Sequence, residues 1–312
     1  MASPARREER LREGRLTSLA LIKLDYIAPP PDLAPFVITF YLFRCDESEI
    51  HDIQPGTGCN LSIFMRGKGE MAFRDGMIDA SHPINVLTPC AVAAPFMVDG
   101  PWHAFGAALS PLGWAALTGK SAAKEGNRLR NATELLGADF AAAGERIIAG
   151  YNAGALDGGG MEAILSDAIR RNIGPVPSSH VRLIQMVAQW LGSSLSPSVD
   201  DLNAMANYSP RQVQRLVDYY YGLPPKQLAR KYRALRAASL LAEPGITADD
   251  ADAIAGHFYD QSHMIREIRL FAGRTPARVG EADSPVLGAL LNLRNFREIR
   301  PQVAPLPDDL HR

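Results

Sequence analysis

The sequence is short of cysteine, of long apolar runs and of net charge, and each shortage excludes a class of protein. Its three cysteines are an odd number without CxxC spacing, which argues against a disulfide scaffold or a zinc ribbon and predicts free, buried thiols. No apolar run approaches the roughly 20 residues that a membrane-spanning helix needs. The net charge of −1 gives no general attraction for nucleic acid, so a polyanionic partner must be met by a local patch.

Sequence motifs of catalysis and cofactor binding are missing as well. The chain has no GxSxG, Walker A or GxGxxG segment, and the glycines at 158–160 are expected to be a linker, not a phosphate-binding loop. The histidines His51, His82 and His103 lack the His-x-His spacing of a metal site. We therefore expect no enzymatic activity, no cofactor and no metal.

The N-terminal residues are rich in arginine and contain only a short apolar stretch, LTSLALI, with no small-residue cleavage site after it. That stretch is too short for the hydrophobic region of a signal peptide. We expect residues 1–15 to form a disordered arm and the protein to be cytoplasmic, with no membrane partner.

From about residue 36 to residue 110, short strand-like runs alternate with turn signals. The runs are FVITFYLFR (36–44), LSIFM (61–65), EMAFR (70–74), INVLT (84–88), AVAAPFMV (91–98) and HAFGAAL (103–109). Turns are expected at RGKG, between the second and third runs, and at DGPW, between the last two. The spacing of the runs and their β-branched and aromatic content predict an antiparallel barrel or sandwich.

After residue 110 helical patterns replace the strands, and GPVPSS at 174–179 is the best candidate for a domain boundary. The predicted fold class is α+β. Its segments are an arm (1–15), a β-rich domain with trailing helices (16–173), an all-helical domain (174–280) and a C-terminal extension (281–312).

The strongest pattern is a repeat at a constant offset of 51 residues, which aligns residues 208–225 with residues 259–276. Ser209 and Asp260 are placed to cap the N-termini of two helices, and Pro210 stands at the first helical position. Each repeat ends in a glycine suited to a C-terminal cap. The aligned pairs are Tyr208 with Tyr259, Val213 with Met264, Arg215 with Arg266, Val217 with Ile268, Tyr220 with Phe271, Gly222 with Gly273 and Pro225 with Pro276.

Each capped helix follows another short helical segment, DDLNAMAN in the first unit and ADDADAIAG in the second. Two short helices joined by a tight turn form the helix-turn-helix pattern, whose second helix enters the major groove of DNA. The turn often needs a left-handed residue, and Asn207 and His257 are the candidates for it.

Between the units runs PPKQLARKYRALRAASLLAEPG, a helical segment with an apolar stripe and cations on its other faces. Residues 209–236 hold seven Lys and Arg against one acid, Asp218, which predicts a local basic patch. The acidic run EPGITADDADAIAG opposes DNA near the second unit, so we expect the first unit to contribute more affinity. The seven cations are Arg211, Arg215, Lys226, Arg230, Lys231, Arg233 and Arg236.

In these segments the chain resembles the AraC/XylS family of bacterial transcriptional regulators. The resemblance rests on YSPRQVQRL, GLPPKQLARKYRALRAA and FYDQSHMIREIRLFAGRTP, and it covers roughly residues 178–280. It implies two helix-turn-helix units that bind an asymmetric operator on double-stranded DNA, joined to a cupin-like β-barrel for sensing or dimerisation. It leaves open three further partners: RNA polymerase, a small-molecule effector and a second copy of the chain, as in a homodimer. The effector-binding residues are unknown.

The resemblance also implies which side chains face the groove. Arginine can bridge guanine O6 and N7, and glutamine can pair with adenine N6 and N7. Phosphate contacts set the register of the protein on the duplex without reading sequence. The predicted base-reading residues are Arg211, Gln214, Arg215, Gln261, Ser262, His263 and Arg266, and the predicted phosphate contacts are Ser209, Gln212, Lys226 and Arg230.

Two other functions stay open at this point. One is a cupin-like enzyme that uses its C-terminal domain only as an address, although the missing metal spacing argues against it. The other is a protein-interaction module with degenerate helix-turn-helix units, which the unusual Asn203, Asp252 and His257 keep open. We expect a sequence-specific DNA-binding transcriptional regulator.

Overall fold

The structure is a computed structural model that describes residues 21–243 and 245–279. Within these ranges, strands lie between Ile22 and Asn131 and helices between Pro111 and Val279, which confirms the α+β class. The predicted arm at 1–15 and the extension at 281–312 lie outside the described residues, and the domain boundaries stay predictions.

The described strands form one antiparallel sheet of eight strands in the order β1-β2-β7-β4-β6-β8, with β3 paired to β7 and β5 paired to β4. Their bounds are β1 Ile22–Ile27, β2 Val37–Cys45, β3 Glu49–Gln54, β4 Cys59–Ala72, β5 Ile78–Ala80, β6 Ile84–Leu87, β7 Ala94–Leu109 and β8 Leu129–Asn131.

Two of the expected turns are bends inside long strands. Strand β4 runs through RGKG, and β7 runs through DGPW, so four of the predicted runs merge into two strands. The two strands pair with each other across this region, where the register shifts on both sides of Arg66. Gly67 adopts a left-handed φ of 85°, which lets β4 bulge and bend without leaving the sheet.

The sheet is curved, and the two strands at its ends line the same cavity. Strands β1 and β8 are the ends of the hydrogen-bonded path, yet Leu24 of β1 and Leu129 of β8 line the same cavity. Asp79 accepts two hydrogen bonds of 2.7 Å from the Arg128 guanidinium and so fixes the start of β8. The result is the barrel-like arrangement that the strand pattern predicts.

Successive side chains along a strand point to opposite faces of the sheet. One face packs against helices, and the other lines the inner cavity. On β4, the buried Leu61 belongs to a cluster with Phe140 and Ile147, whereas Ser62 and Phe64 line the inner cavity. One face of the sheet is therefore covered by helices, as the period of two along a strand requires.

Twelve helices are described, and none of them is long and apolar enough to cross a membrane. They are α1 Pro111–Thr118, α2 Ala122–Glu125, α3 Ala132–Leu136, α4 Ala138–Asn152, α5 Gly158–Asn172, α6 Ser178–Ser193, α7 Val199–Met205, α8 Pro210–Tyr221, α9 Pro225–Leu241, α10 Ala248–Ala255, α11 Gln261–Ala272 and α12 Pro276–Val279.

Helix α1 connects the β-rich region to the C-terminal helices. Its Leu112 and Ala115 belong to the same buried cluster as Leu183 of α6 and Val217 of α8. The C-terminal helices therefore pack directly against the N-terminal region, and this packing fixes where the helix-turn-helix units lie.

The three cysteines are free and buried, as predicted. Burial raises the pKa of the Cys90 thiol to about 12 and the pKa of the Cys59 thiol well above its usual range. Both thiols therefore stay protonated near neutral pH, which keeps them unreactive.

Candidate nucleic-acid interface

The first helix-turn-helix unit consists of α7 and α8. The Ser209 hydroxyl accepts the backbone N–H of Gln212, and the Gln212 side chain accepts the backbone N–H of Ser209, which completes a capping box. At the other end, Gly222 has a left-handed φ of 79° and donates its N–H to the carbonyl of Asp218. The predicted caps of this helix are confirmed.

Helix α8 presents a free polar face. Its apolar side chains, including Val213 and Val217, are buried against α6 and α7. Arg211, Gln214 and Arg215 are exposed, and they form no hydrogen bond or ion pair with the described residues. All three are therefore available to a groove.

The second unit consists of α10 and α11 and has the same outline. The Asp260 carboxylate accepts the N–H of His263 at 2.6 Å, and Gly273 ends the helix with a φ of 85°. Met264, Ile268 and Phe271 are buried, which confirms the apolar seam predicted for this helix.

The turns of both units differ from the prediction. Among the described non-glycine residues only Asn127 has a positive φ, so neither Asn207 nor His257 is left-handed, and that expectation is wrong. In the first unit the chain leaves α7 through Ala206 in an extended conformation. In the second, the N–H of His257 bonds back to the Ile254 carbonyl at 3.2 Å, which continues a right-handed turn.

Helix α11 exposes a different set of side chains. Gln261, Ser262 and Arg266 are exposed and form no hydrogen bond or ion pair with the described residues. The position that aligns with Gln214 is Ile265, whose exposed fraction is 36%. Sequence reasoning missed Ile265 because it selected polar side chains, although the repeat offset of 51 points to it directly.

A buried carboxylate ties α11 to the linker helix α9. Glu267 is 2% exposed and accepts Arg230 Nε at 2.5 Å and Arg233 Nη2 at 2.6 Å. The Nε2 atom of His263 lies 3.2 Å from the same carboxylate. Arg230 and His263 thus have partners within the protein, as do Ser209 and Gln212 in the capping box, and the DNA contacts predicted for these four stay predictions.

Two other linker cations are buried. Lys231 donates to the carbonyl oxygen of Cys90 at 3.2 Å, and burial lowers the pKa of Lys231 to about 8. Arg236 donates to the carbonyls of Leu191 and Ser194 at 2.8 and 3.1 Å, and burial lowers the pKa of Arg236 to about 10. Arg236 satisfies carbonyls at the C-terminal end of α6 that the helix itself leaves unpaired.

The predicted basic patch of seven cations is therefore wrong at Lys231 and Arg236. Ion pairs with Glu267 occupy Arg230 and Arg233. Lys226 is exposed and has no partner among the described residues. Three cations of the seven are then free to meet phosphate or bases: Arg211, Arg215 and Lys226.

The N-terminal region contacts the C-terminal ends of both recognition helices. Backbone N–H groups of Gly56 and Ala93 donate to the carbonyls of Phe271 and Leu270 at 2.8 and 3.1 Å. At the first unit, Tyr219 Oη donates to the carbonyl of Gly119 at 2.8 Å. The two helices are thereby held at their C-terminal ends, while their N-terminal halves carry most of the exposed polar side chains.

In the described part of the chain, no group of three His, Cys, Asp or Glu side chains is placed to hold a metal ion. The His103 ring is hydrogen-bonded on both sides, with Nε2 2.9 Å from Asp46 Oδ1 and Nδ1 2.7 Å from Tyr151 Oη.

Residues 202–282 match the family model described as a helix-turn-helix domain. The match begins within α7 and includes α8, the linker helix α9 and the second unit, and it confirms the AraC-type resemblance of this region. No curated protein sequence matches the chain. A domain of this type marks a DNA-binding transcription regulator, a class that is normally not enzymatic.

Several solved structures are similar over most of the chain. ToxT from Vibrio cholerae O395 is 10% identical, with a TM-score of 0.45 over 85% of this chain and 98% of that one. ToxT from strain SCE256 with bound unsaturated fatty acid is 9% identical, with a TM-score of 0.43 over 85% and 95%. The AraC-like transcriptional activator CuxR is 10% identical, with a TM-score of 0.31 over 70% and 86%.

Proposed function

We propose that the protein regulates transcription by reading an asymmetric site on double-stranded DNA with α8 and α11. The observation that carries the proposal is the pair Arg215 and Arg266. They align in the repeat, stand on two capped helices, are exposed, and have no partner among the described residues. A free guanidinium in that position can bridge guanine O6 and N7.

The two helices would read different bases. In the first unit, Arg211, Gln214 and Arg215 offer two sites for guanine and one for adenine. In the second, Ser262 and Ile265 occupy the positions of Arg211 and Gln214. The exposed Ile265 suits apolar contact with a thymine methyl group. Two unlike reading faces are the reason to expect an asymmetric operator.

The linker sets the distance between the two contacts. Helix α9 has 17 residues, which span about 26 Å at ~1.5 Å per residue. Successive major-groove faces on one side of a duplex lie ~34 Å apart. One copy of the chain could therefore place both helices in neighbouring groove segments, with Lys226 at the start of α9 on a phosphate.

The N-terminal domain is the proposed sensor. Its sheet encloses a cavity lined by residues from opposite edges of the sheet, and the same domain contacts both recognition helices. A ligand that alters the sheet could change how the helices are held. The proposal requires neither RNA polymerase nor a second copy of the chain as a partner, both of which the family resemblance leaves open.

The test is selection from a random duplex pool at low salt, with wild-type protein and the Arg215→Ala/Arg266→Ala variant. We expect the wild type to enrich a site of two short, unlike boxes about one helical turn apart, and the variant to lose that enrichment. Equal enrichment by a folded variant would contradict the proposal. A folded wild type that enriches nothing would favour a protein-binding role for the two units.

A further inference from the structure

A cleft of about 380 Å³ lies between the N-terminal sheet and the second recognition helix. Its walls come from the end of β4 and the turn after it, from the chain around the start of β7, and from α11. Arg74 lines the cleft on the side of the sheet, and Arg266 and Arg269 line it on the side of the helix. Three arginines from two separate parts of the fold therefore border one space.

The charges of these three arginines are not neutralised within the protein. All three side chains are exposed and form no hydrogen bond or ion pair with the described residues. Arg230 and Arg233 on helix α9 differ in this respect, because Glu267 pairs with both. None of the described residues that line the cleft is an acid, and Asp75, the neighbour of Arg74, lies outside the lining. The cleft therefore suits a partner with more than one negative charge.

Backbone hydrogen bonds fix the two walls of the cleft relative to each other. Arg74 stands in the turn between β4 and β5, where the Phe73 N–H donates to the Met77 carbonyl at 2.8 Å. Across the cleft, the Ala93 N–H donates to the Leu270 carbonyl at 3.1 Å, and both of these residues belong to the lining. The three arginines thus stand on a preformed frame.

Arg269 extends the exposed face of α11 towards its C-terminal end. Arg266 follows Ser262 by four residues and Arg269 follows Arg266 by three, spacings that place all three on one face of the helix. From Arg266 to Arg269 the helix rises about 4.5 Å. A helix in the major groove, which is ~12 Å wide, has a phosphate backbone on each side. With Arg266 at a base edge, Arg269 and Arg74 would lie towards the backbone that borders the groove.

A duplex suits this cleft better than a small anion does. No buried polar side chain is present among the described residues that line it, so a small anion would meet only exposed arginines. An exposed ion pair contributes only about 0–1 kcal/mol. A duplex instead presents a line of phosphates, and each phosphate that is neutralised releases counterions, which favours binding.

We propose that Arg74 and Arg269 contact the phosphate backbone beside the second recognition helix, so that the N-terminal region forms part of the DNA interface. The proposal rests on the proposed function, because it requires α11 to lie in the groove. Phosphate contacts carry no sequence information, so the bases that the two units read would stay the same.

The test measures binding of the full chain to the selected duplex and to a scrambled duplex between 50 and 200 mM salt. Arg74→Ala removes a phosphate contact, so it should weaken binding to both duplexes by the same factor. The slope of log affinity against log salt should become shallower by about 0.9, so the affinity of the variant should fall about 3.5-fold less than that of the wild type over this range.

Arg66→Ala is the matched control. Arg66 is an exposed arginine within β4, eight residues before Arg74, with no partner among the described residues, and it does not line the cleft. Its replacement should leave the affinity and the slope unchanged.

A neutral methylphosphonate, moved one position at a time through the backbone of the selected duplex, locates the contact. In the wild type, a substitution beside the second box should weaken binding. In Arg74→Ala the same substitution should have little further effect, because both changes remove one contact.

Unchanged or tighter binding by folded Arg74→Ala, an equal loss in Arg66→Ala, or methylphosphonate effects that Arg74→Ala leaves intact would each overturn the proposal. A loss confined to the selected duplex would overturn it as well. If the wild type selects a duplex and one of these results follows, only the backbone contact is refuted. If the wild type binds no duplex, the backbone contact and the regulator function are both refuted.

Discussion

The two helix-turn-helix units share a repeat but differ in what holds them. Helix α8 of the first unit buries apolar side chains and leaves its polar face free. Helix α11 of the second unit has the same seam, but Glu267 also ties it to α9. Two backbone hydrogen bonds join α11 to the N-terminal region, whereas α8 meets that region through the Tyr219 hydroxyl. Equal spacing in sequence therefore does not give equal contacts with the rest of the protein.

One aligned position accounts for much of this difference. At the offset of 51, Glu267 of the second unit aligns with Leu216 of the first. Leu216 is 5% exposed in an apolar cluster, and Glu267 is 2% exposed among Arg230, Arg233 and His263. The first unit relies on burial at this point and the second on charge pairing.

The largest expected effect is at this position. Glu267→Ala leaves two arginines without their carboxylate and should lower the free energy of unfolding by about 3 kcal/mol, the lower end for breaking a buried pair. Urea unfolding measures it. Adding Arg233→Ala should cost less than Arg233→Ala costs in the wild type, because in the absence of Glu267 it removes one of the two unpaired charges. Leu216→Ala should cost about as much by cavity formation, and its cost should add to that of Arg233→Ala. If the costs of Glu267→Ala and Arg233→Ala also add, the second unit does not rely on charge pairing at this position, and the two units do not differ in this respect.

The next effect concerns Lys231, which ties α9 to the N-terminal region. Burial lowers the pKa of Lys231 to about 8 from an ordinary 10.5. Between these values the unfolded chain binds more protons at this residue than the folded chain, so stability rises with pH. The free energy of unfolding of wild type relative to Lys231→Met should increase by on the order of 2–3 kcal/mol between pH 7.5 and 10.5. Effects of the buried cysteines cancel in this difference. If the difference in unfolding free energy does not change with pH, the Lys231 ammonium is exposed to water and not buried.

A smaller effect should separate the two C-terminal caps. Gly222→Ala and Gly273→Ala both place a Cβ on a left-handed residue, which costs roughly 1–2 kcal/mol. At Gly273 the Cβ would also lie 2.3 Å from Ile53 Cγ2, whereas at Gly222 the nearest atom is 3.4 Å away. Thermal unfolding should show Gly273→Ala as the worse variant by about 1 kcal/mol. Ile53→Ala should remove that excess, and an excess that persists would argue against the contact.

The smallest effect is expected from Lys226, the free cation of the linker. Lys226→Ala should weaken binding to the selected site and to a scrambled duplex by the same factor. It should also reduce the slope of log affinity against log salt by about 1, as loss of one phosphate contact requires. Binding at four salt concentrations measures both. A loss confined to the selected site would make Lys226 a base-reading residue.

Local patterns in the sequence were enough to predict the two capped helices and their seams. Ser209, Asp260 and the two aligned glycines act within a few residues of their own helices, so their roles are visible in sequence. The bounds of the strands are harder to predict from the sequence. A glycine such as Gly67 indicates a turn or a bulge equally well until the partner strand is known.

The fate of the linker cations could not be read from the sequence. The Leu191 and Ser194 carbonyls that accept from Arg236 lie more than 40 residues earlier in the chain, and the carboxylate that binds Arg233 lies 34 residues later. A count of charges treats these side chains as exposed, because burial is a property of tertiary packing. The cavity likewise depends on strands that are distant in sequence.

The most direct test of unequal reading by the two units uses Arg215→Ala and Arg266→Ala as separate variants on the selected duplex and its single-base changes. We predict that Arg215→Ala loses roughly 5- to 150-fold discrimination at one base pair, and that Arg266→Ala loses less, at a base pair in the other box. Equal losses, or a larger loss for Arg266→Ala, would contradict the expectation that the first unit contributes more to DNA binding than the second.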